Sequence, residues 1–175
     1  MKNKKTLKIL AAVIPLCLIG LLVYLFYNFQ KKKEKTDALK NAPAFHLTTI
    51  DGGTFTQENL AEDQIKIILY FSPDCHFCQA EAKELSTVYD QYQNIQWIWV
   101  ASEPLNEIKE FARKYHLNTQ SNMYWCHDEM ATFYRKLGMK TVPYILVYDK
   151  NNHLLKRNAG AIKIEKLLTS FDEKK

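Results

Sequence analysis

A chain of 175 residues that is 47% hydrophobic and 25% charged suits one ordinary globular domain with additional segments, and its composition excludes a disordered or collagen-like polymer. The formal charge of +5 is unevenly placed: residues 1–35 hold eight Lys against one Glu, +7, and the remainder holds sixteen basic against eighteen acidic side chains, −2. With no basic domain to follow a phosphate backbone, nucleic acid is excluded as a partner, and the basicity belongs to the flanks of an apolar segment.

In chain order, residues 1–8 form a short basic tail with Lys2, Lys4, Lys5 and Lys8. Residues 9–29 contain no charged side chain, and 21 residues at a helical rise span about 31 Å, the thickness of a bilayer's hydrocarbon core. A transmembrane helix is predicted over 9–29. The competing reading is a cleaved signal peptide, whose apolar region is about 7–15 residues and ends at a small-residue cleavage site. Here the run is longer and ends in YNFQKKKEK, and Leu16, not a small residue, precedes Cys17. Cys17 therefore reads as an apolar residue of the span, with Tyr24 and Tyr27 suited to the membrane interface.

Lys2, Lys4, Lys5 and Lys8 on one side are balanced by Lys31, Lys32, Lys33 and Lys35 on the other, so the positive-inside rule is even by count. The brevity of the tail before the first apolar segment favours the N-terminus inside. The domain then faces the periplasm or the cell exterior, an oxidising compartment.

Residues 30–42, polar and Lys-rich, are predicted to be a linker, and 43–175 the folded domain. AFHLTTIDGGTFT alternates and then turns at Asp51-Gly52-Gly53, a β-hairpin signal. The apolar run IKIILYF, 65–71, predicts a central strand buried on both faces, and the positions Ala82, Leu85, Val88, Tyr89 and Tyr92 then recur at helical spacing. IQWIWVA, 95–101, predicts a second buried strand, and Pro104 opens a helix with Leu105, Ile108, Ala112 and Tyr115 on one face. After the short apolar piece MYWC, Asp128 is placed to cap a helix through Leu137, with Gly138 just past its end. PYILVYD, KNN and HLLKRNAG predict a closing hairpin, and 162–171 a last amphipathic helix. The β-α-β-α order implies a parallel core of the sheet.

Cys75 and Cys78 stand where the strand hands over to the helix. At a helix N-terminus, unpaired N–H groups and the helix dipole stabilise a thiolate, so the first sulfur of a C-x-x-C pair attacks a disulfide and the second, one turn on, resolves it. Protonated His76 favours the Cys75 thiolate and Asp74 opposes it. Glu81, three residues after Cys78, lies on the same side of the helix. It reads either as a solvated helix glutamate or as a carboxylate that takes the Cys78 proton. Pro143 before YILVY reads by spacing as an ordinary trans proline at a strand start.

PAFHLTTIDGGTFTQENL, IILYFSPDCHFCQAEAKEL and LGMKTVPYILVYDKNNHLLKRNAG together resemble the membrane-anchored thiol-disulfide oxidoreductases of the TlpA and ResA type, within the redoxin and peroxiredoxin-like group. The resemblance implies a thioredoxin-like α/β fold, with a central mixed β-sheet flanked by helices and an N-terminal β-hairpin. It implies a redox-active Cys75–Cys78 disulfide with no other cofactor, a cis Pro143, and a Val142 backbone that meets the substrate together with Pro143, His76 and Phe77. It supports Glu81 as a proton carrier. The implied partners are protein substrates bearing thiols or disulfides, the bilayer through 9–29, and an upstream membrane electron donor. The sequence departs from the family where Asp74 replaces the usual Trp before the first cysteine, where His76-Phe77 separates the pair, and where Leu69 stands at the position of thioredoxin's buried acid.

Two other functions compete. In a thiol peroxidase, peroxiredoxin-like chemistry needs a Thr-x-x-Cys setting, of which Ser72-Pro73-Asp74-Cys75 keeps only a hydroxyl. In a copper or zinc delivery protein, the pair is joined by His76 or by Cys126 and His127, but structural zinc usually takes four ligands in paired motifs. Cys126 otherwise reads as a small buried residue, with a third redox thiol as the alternative. The absence of a helical insertion favours a reductase or maturation factor over a dedicated oxidase.

Overall fold

The computed structural model describes residues 2–37 and 39–172, with no side chain described at 1–12, 32, 34–38 or 170–175. The chain divides into two compact units, Met1–Ala38 and Leu39–Lys175.

The first unit is one helix, α1, Lys2–Asp37. The apolar segment expected over 9–29 falls within it, and its described part, Val13–Lys31, is long and apolar enough to cross a membrane and is wholly unburied. The side chains of the basic tail and of 9–12 lie outside the described residues. The polar stretch from residue 30, expected to be a linker, continues as helix to Asp37 because Gln, Lys and Glu are good helix formers and nothing before Asp37 interrupts them. The folded unit accordingly begins before Pro43: Leu39 and Ala42 are already buried in its core.

The second unit is a seven-stranded mixed sheet in the order β2-β1-β5-β4-β3-β6-β7. Its strands are β1 His46–Thr49, β2 Thr54–Thr56, β3 Ile65–Tyr70, β4 Ile95–Ala101, β5 Met123–His127, β6 Tyr144–Tyr148 and β7 Leu154–Ala159. The helices are α2 His76–Val88, α3 Leu105–Lys114, α4 Thr132–Lys136 and α5 Ile164–Asp172. The strands β3, β4 and β5 are parallel, β6 and β7 close one side as an antiparallel hairpin, and the β1-β2 hairpin adds to β5 at the other. The expected turn at Asp51-Gly52-Gly53 joins that first hairpin, with Gly52 at φ +84, where a Cβ would be strained.

Alternation along the central strands builds a core on each face of the sheet. Ile67, Leu69 and Phe71 point to one face, where Cys78, Ala82 and Leu85 of α2, Ile108 and Phe111 of α3 and Leu167 of α5 cover them. Ile68 and Tyr70 point to the other, under Phe133 of α4, Leu137 just past its end, Phe45 just before β1, and Leu47 and Phe55 of the N-terminal hairpin. An aromatic nest fixes the first core beside the cysteine helix: Phe71 lies 4.7 Å from Phe111 and 5.4 Å from Trp99, and Trp99 stacks on Trp125 at 4.9 Å.

Two features differ from the sequence pattern. Lys66, within what reads as an apolar run, is buried, and its ammonium donates to the Asp149 and Lys150 carbonyls at 3.1 and 2.9 Å, tying β3 to the β6–β7 turn. The helix expected directly after Asp128 starts only at Thr132, because Met130 and Ala131 both adopt left-handed backbone, φ 58 and φ 52. Asp128 still caps it, from further back, through the backbone amides of Phe133 and Tyr134.

Candidate active site

The strand-to-helix junction places Cys75 at the N-cap of α2 in extended backbone, φ −76 and ψ 114. Its sulfur accepts the Cys78 N–H at 3.3 Å, one of the amides that a helix start leaves without a carbonyl partner. The Cys75 thiol is half-buried and directs its S–H to the Val142 carbonyl at 3.8 Å, across 67 residues of sequence. The Val142–Pro143 peptide bond is cis, as the family resemblance implied and spacing alone did not. Cys78, one turn into α2, is fully buried under the first core, and both cysteines are free thiols. Burial pushes the Cys78 thiol far up from its ordinary range, and the neighbouring Cys75 and Glu81 add to it.

This geometry separates two roles. Cys75 is half-buried and carries the Cys78 N–H on its sulfur. Cys78 is sealed from solvent, and its burial favours the protonated thiol. Around the pair, Asp74, His76 and Phe77 are exposed, and Phe77 keeps 63% of its surface open despite its size. Gln79 secures the approach to the helix by donating from Nε2 to the Pro73 carbonyl at 2.8 Å.

Glu81 is 3% exposed, so the solvated reading of this residue does not hold. Its Oε1 accepts the Ile162 N–H at 3.0 Å, and its Oε2 has no hydrogen-bond partner among the described residues. Burial raises its carboxyl from 4.5 to about 7, the Ile162 amide pulls it down, and Glu84 adds to the rise. A buried acid whose folded value lies above its unfolded one binds more protons in the folded state between the two. Its stabilising contribution is therefore complete below about pH 4.5 and is lost as the pH climbs through about 7. Stability is expected to fall by an amount on the order of 3 kcal/mol between pH 5 and pH 8, and Glu81→Gln to flatten that slope. Urea denaturation of the reduced protein across this interval measures it, and a wild-type profile no steeper than that of the variant refutes it.

Cys126 sits in β5 on the opposite face of the sheet from Cys78, in the second core, and burial raises its thiol to about 12. It behaves as a small buried residue and cannot join the pair as a metal ligand without crossing the sheet. Among the described residues no group of three or more His, Cys, Asp or Glu side chains is arranged to hold a metal ion.

Sequence reasoning missed two elements of the surroundings. The first is the 160–162 backbone, which reaches both Pro143 and Glu81. The second is the buried pair in which Tyr70 Oη donates to Asp128 Oδ2 at 2.9 Å, on the second-core face of β3. A glycine after a β7-like strand was the one available signal for the former. For the latter, Asp128 was visible only as a helix cap.

Comparison with known proteins places this architecture. Solved structures with the same fold include a secreted Mycobacterium tuberculosis disulfide oxidoreductase homologous to E. coli DsbE, 21% identical with a TM-score of 0.61 over 77% of this chain and 95% of that one. They also include M. tuberculosis dsbF in mixed oxidized and reduced forms, 21% identical, TM-score 0.62, covering 75% and 92%. A thioredoxin-like protein from Aeropyrum pernix matches at 16% identity, TM-score 0.62, over 86% and 99%. No curated protein matches the chain. The AhpC/TSA family model matches residues 38–157, which spans the sheet from its first hairpin into β7 and includes both cysteines and Pro143. The chain thus belongs to the AhpC/TSA family, in a form that carries the thioredoxin-like fold behind an apolar N-terminal helix.

Proposed function

We propose that this thioredoxin-like thiol-disulfide oxidoreductase works as a membrane-anchored reductase or maturation factor for protein thiols outside the cytoplasm. The observation that carries the reading is the asymmetric pair: Cys75 at the helix N-cap facing the Val142 carbonyl, with Cys78 buried behind it. In the forward step, the Cys75 thiolate attacks one sulfur of a client disulfide, forming a mixed disulfide and releasing the other client sulfur as a thiolate. Cys78 then gives its proton to the Glu81 carboxylate, and its sulfur displaces the second client thiolate from Cys75. Two client thiols are formed as one disulfide forms in the enzyme, and an upstream membrane electron donor must restore the dithiol.

The client strand lies, in this reading, along Val142 and cis Pro143, with Phe77 and His76 as its flanking contacts. The exposed Phe77 ring, next but one to Cys75 in sequence, offers an apolar contact there. Residues 9–29 act as the anchor, with 1–8 inside, the helical stretch from residue 30 to Asp37 as the connection and the unit from Leu39 onward as the working domain on the periplasmic or exterior side. Support comes from the exposed apolar helix.

The decisive experiment equilibrates the full-length protein in detergent with glutathione and dithiothreitol buffers, and identifies the paired cysteines by mass spectrometry. A Cys75–Cys78 disulfide at about −270 mV or lower gives the reductase direction, and one near about −120 mV reverses it to an oxidase. Failure to form that disulfide at any potential removes the reading. Labelling of Cys75 in intact cells by a membrane-impermeant maleimide tests the outward orientation at the same time.

The AhpC/TSA match supports a second reading, a thiol peroxidase, in which the Cys75 thiolate attacks one peroxide oxygen, the O–O bond breaks to release an alcohol or water, and Cys78 condenses with the resulting sulfenic acid to form the disulfide and expel water. Peroxide consumption by the reduced protein well above the rate of a free thiol favours this second reading.

A further inference from the structure

The segment that joins β7 to α5 touches both halves of the proposed site with its backbone. Gly160 N–H donates to the Pro143 carbonyl at 2.9 Å, and two residues later the Ile162 N–H donates to Glu81 Oε1 at 3.0 Å. The start of the segment is itself pinned, since Asn158 donates from its side-chain amide to the Gly160 carbonyl. One short stretch of chain therefore holds the cis-proline loop and the buried carboxylate in a single geometry.

Gly160 sits at φ +92, a conformation that side chains with a Cβ rarely adopt. A Cβ placed there meets no atom within 4 Å, so backbone conformation, not space, is what requires glycine. The Ile162 amide is the hydrogen bond that the described residues give to the Glu81 carboxylate. The other titratable groups around Glu81 are Cys78 and Glu84 on its own helix. Lys163, Glu165 and Lys166, on the segment and on α5, are exposed, and the Glu165 N–H donates to Glu84 Oε1 at 3.3 Å.

We infer that Gly160 is a positioning residue whose left-handed backbone aims the Ile162 N–H at Glu81 and thereby sets the pH at which Glu81 takes the proton of Cys78. The inference rests on the oxidoreductase reading above. A hydrogen bond to the ionised form favours it against burial. Losing that bond leaves the desolvation of the carboxylate and the Glu84 charge unopposed. The carboxylate that must accept the Cys78 proton during resolution then exists only at higher pH, and resolution slows at neutral pH.

The test follows resolution of the mixed disulfide formed between the reduced full-length protein, in detergent, and oxidised glutathione, as a function of pH. Gly160→Ala is expected to move the midpoint of the rate rise upward by about one pH unit, the worth of a charge-assisted hydrogen bond at the low end of its range. Gly160→Asn, which enters positive φ more readily than Ala, is expected to move the midpoint less than Gly160→Ala does. Glu81→Gln is expected to lose that limb of the profile. An unmoved Gly160→Ala midpoint with a lost Glu81→Gln limb overturns the inference and leaves the oxidoreductase reading standing. An unchanged Glu81→Gln profile overturns both the inference and the proton-carrier role, and the absence of any mixed disulfide overturns the oxidoreductase reading itself. One measurement needs no variant: in the wild type, the NMR shift of the Ile162 amide proton must titrate with the same midpoint as the Glu81 carboxyl carbon, and independent midpoints refute the coupling.

Discussion

Cys75→Ser is expected to lower the rate of disulfide exchange by at least about 10³-fold, while Cys78→Ser keeps the first attack and accumulates the client as a mixed disulfide on Cys75. The asymmetry follows from position. Cys75 is half-buried at the α2 N-cap with the Cys78 amide on its sulfur, and Cys78 is fully buried with its thiol proton held tightly. Serine at 75 keeps the shape and the cap hydrogen bond, since a hydroxyl oxygen is a good N-cap acceptor, so the fold survives and only the nucleophile is lost. Quenched assays with a fluorescent disulfide peptide, followed by non-reducing electrophoresis, read both variants. If Cys75→Ser attacks faster than Cys78→Ser, or if the trapped species sits on Cys78, the order of roles is reversed.

Asp128→Ala is expected to destabilise the folded unit by about 3–5 kcal/mol, which is a large share of a stability of about 5–15 kcal/mol. The Asp128 side chain is 3% exposed, and its carboxylate accepts three hydrogen bonds: Phe133 N–H at 2.9 Å, Tyr134 N–H at 3.0 Å and the Tyr70 hydroxyl at 2.9 Å. Alanine leaves two amides at the start of α4 and a phenol without acceptors. The consecutive left-handed residues Met130 and Ala131, just before α4, then lose the clamp on the turn that contains them. Part of the penalty comes from the stranded Tyr70 hydroxyl, whose proton burial and the Asp128 carboxylate hold tightly. Adding Tyr70→Phe to Asp128→Ala is therefore expected to cost less than the sum of the two single changes. Urea denaturation of the four proteins in the cycle gives the coupling. Strict additivity would show that the phenol finds another acceptor, and a loss below about 1 kcal/mol for Asp128→Ala would show that the carboxylate is not the clamp.

Both predictions concern side chains at the C-terminal edge of the parallel strands, but they were not equally visible beforehand. The cysteine pair announces itself because its signals are local: a β-branched apolar run, then two cysteines a helical turn apart, then apolar residues at helical spacing. Asp128 also carries a local signal, that of a helix cap, yet its partner Tyr70 is 58 residues away and its helix begins three residues later than the pattern suggests. The delay comes from Met130 and Ala131, whose left-handed backbone no propensity scale anticipates. Lys66 is similar: its charge sits in a strand that reads as apolar, and only the carbonyls of a turn more than 80 residues on make its burial tolerable.

Period and composition alone thus determined the apolar N-terminal helix, the strands and helices of the domain, and the placement of Cys75 and Cys78 at a strand-to-helix junction. Each of these depends on neighbours within a few residues, and the alternation of two or the recurrence near 3.6 records them directly. The tertiary structure decided what distance in sequence conceals. It set the Val142 carbonyl against Cys75 and made the Val142–Pro143 bond cis. It divided Cys126 from Cys78 by the thickness of the sheet, and it buried Glu81 against the Ile162 amide. Glu81 shows the physical reason most plainly: spacing put it on one side of α2 with Cys78, but a carboxyl is raised from 4.5 to about 7 only when other parts of the chain remove its water, and that is a property of the packed molecule.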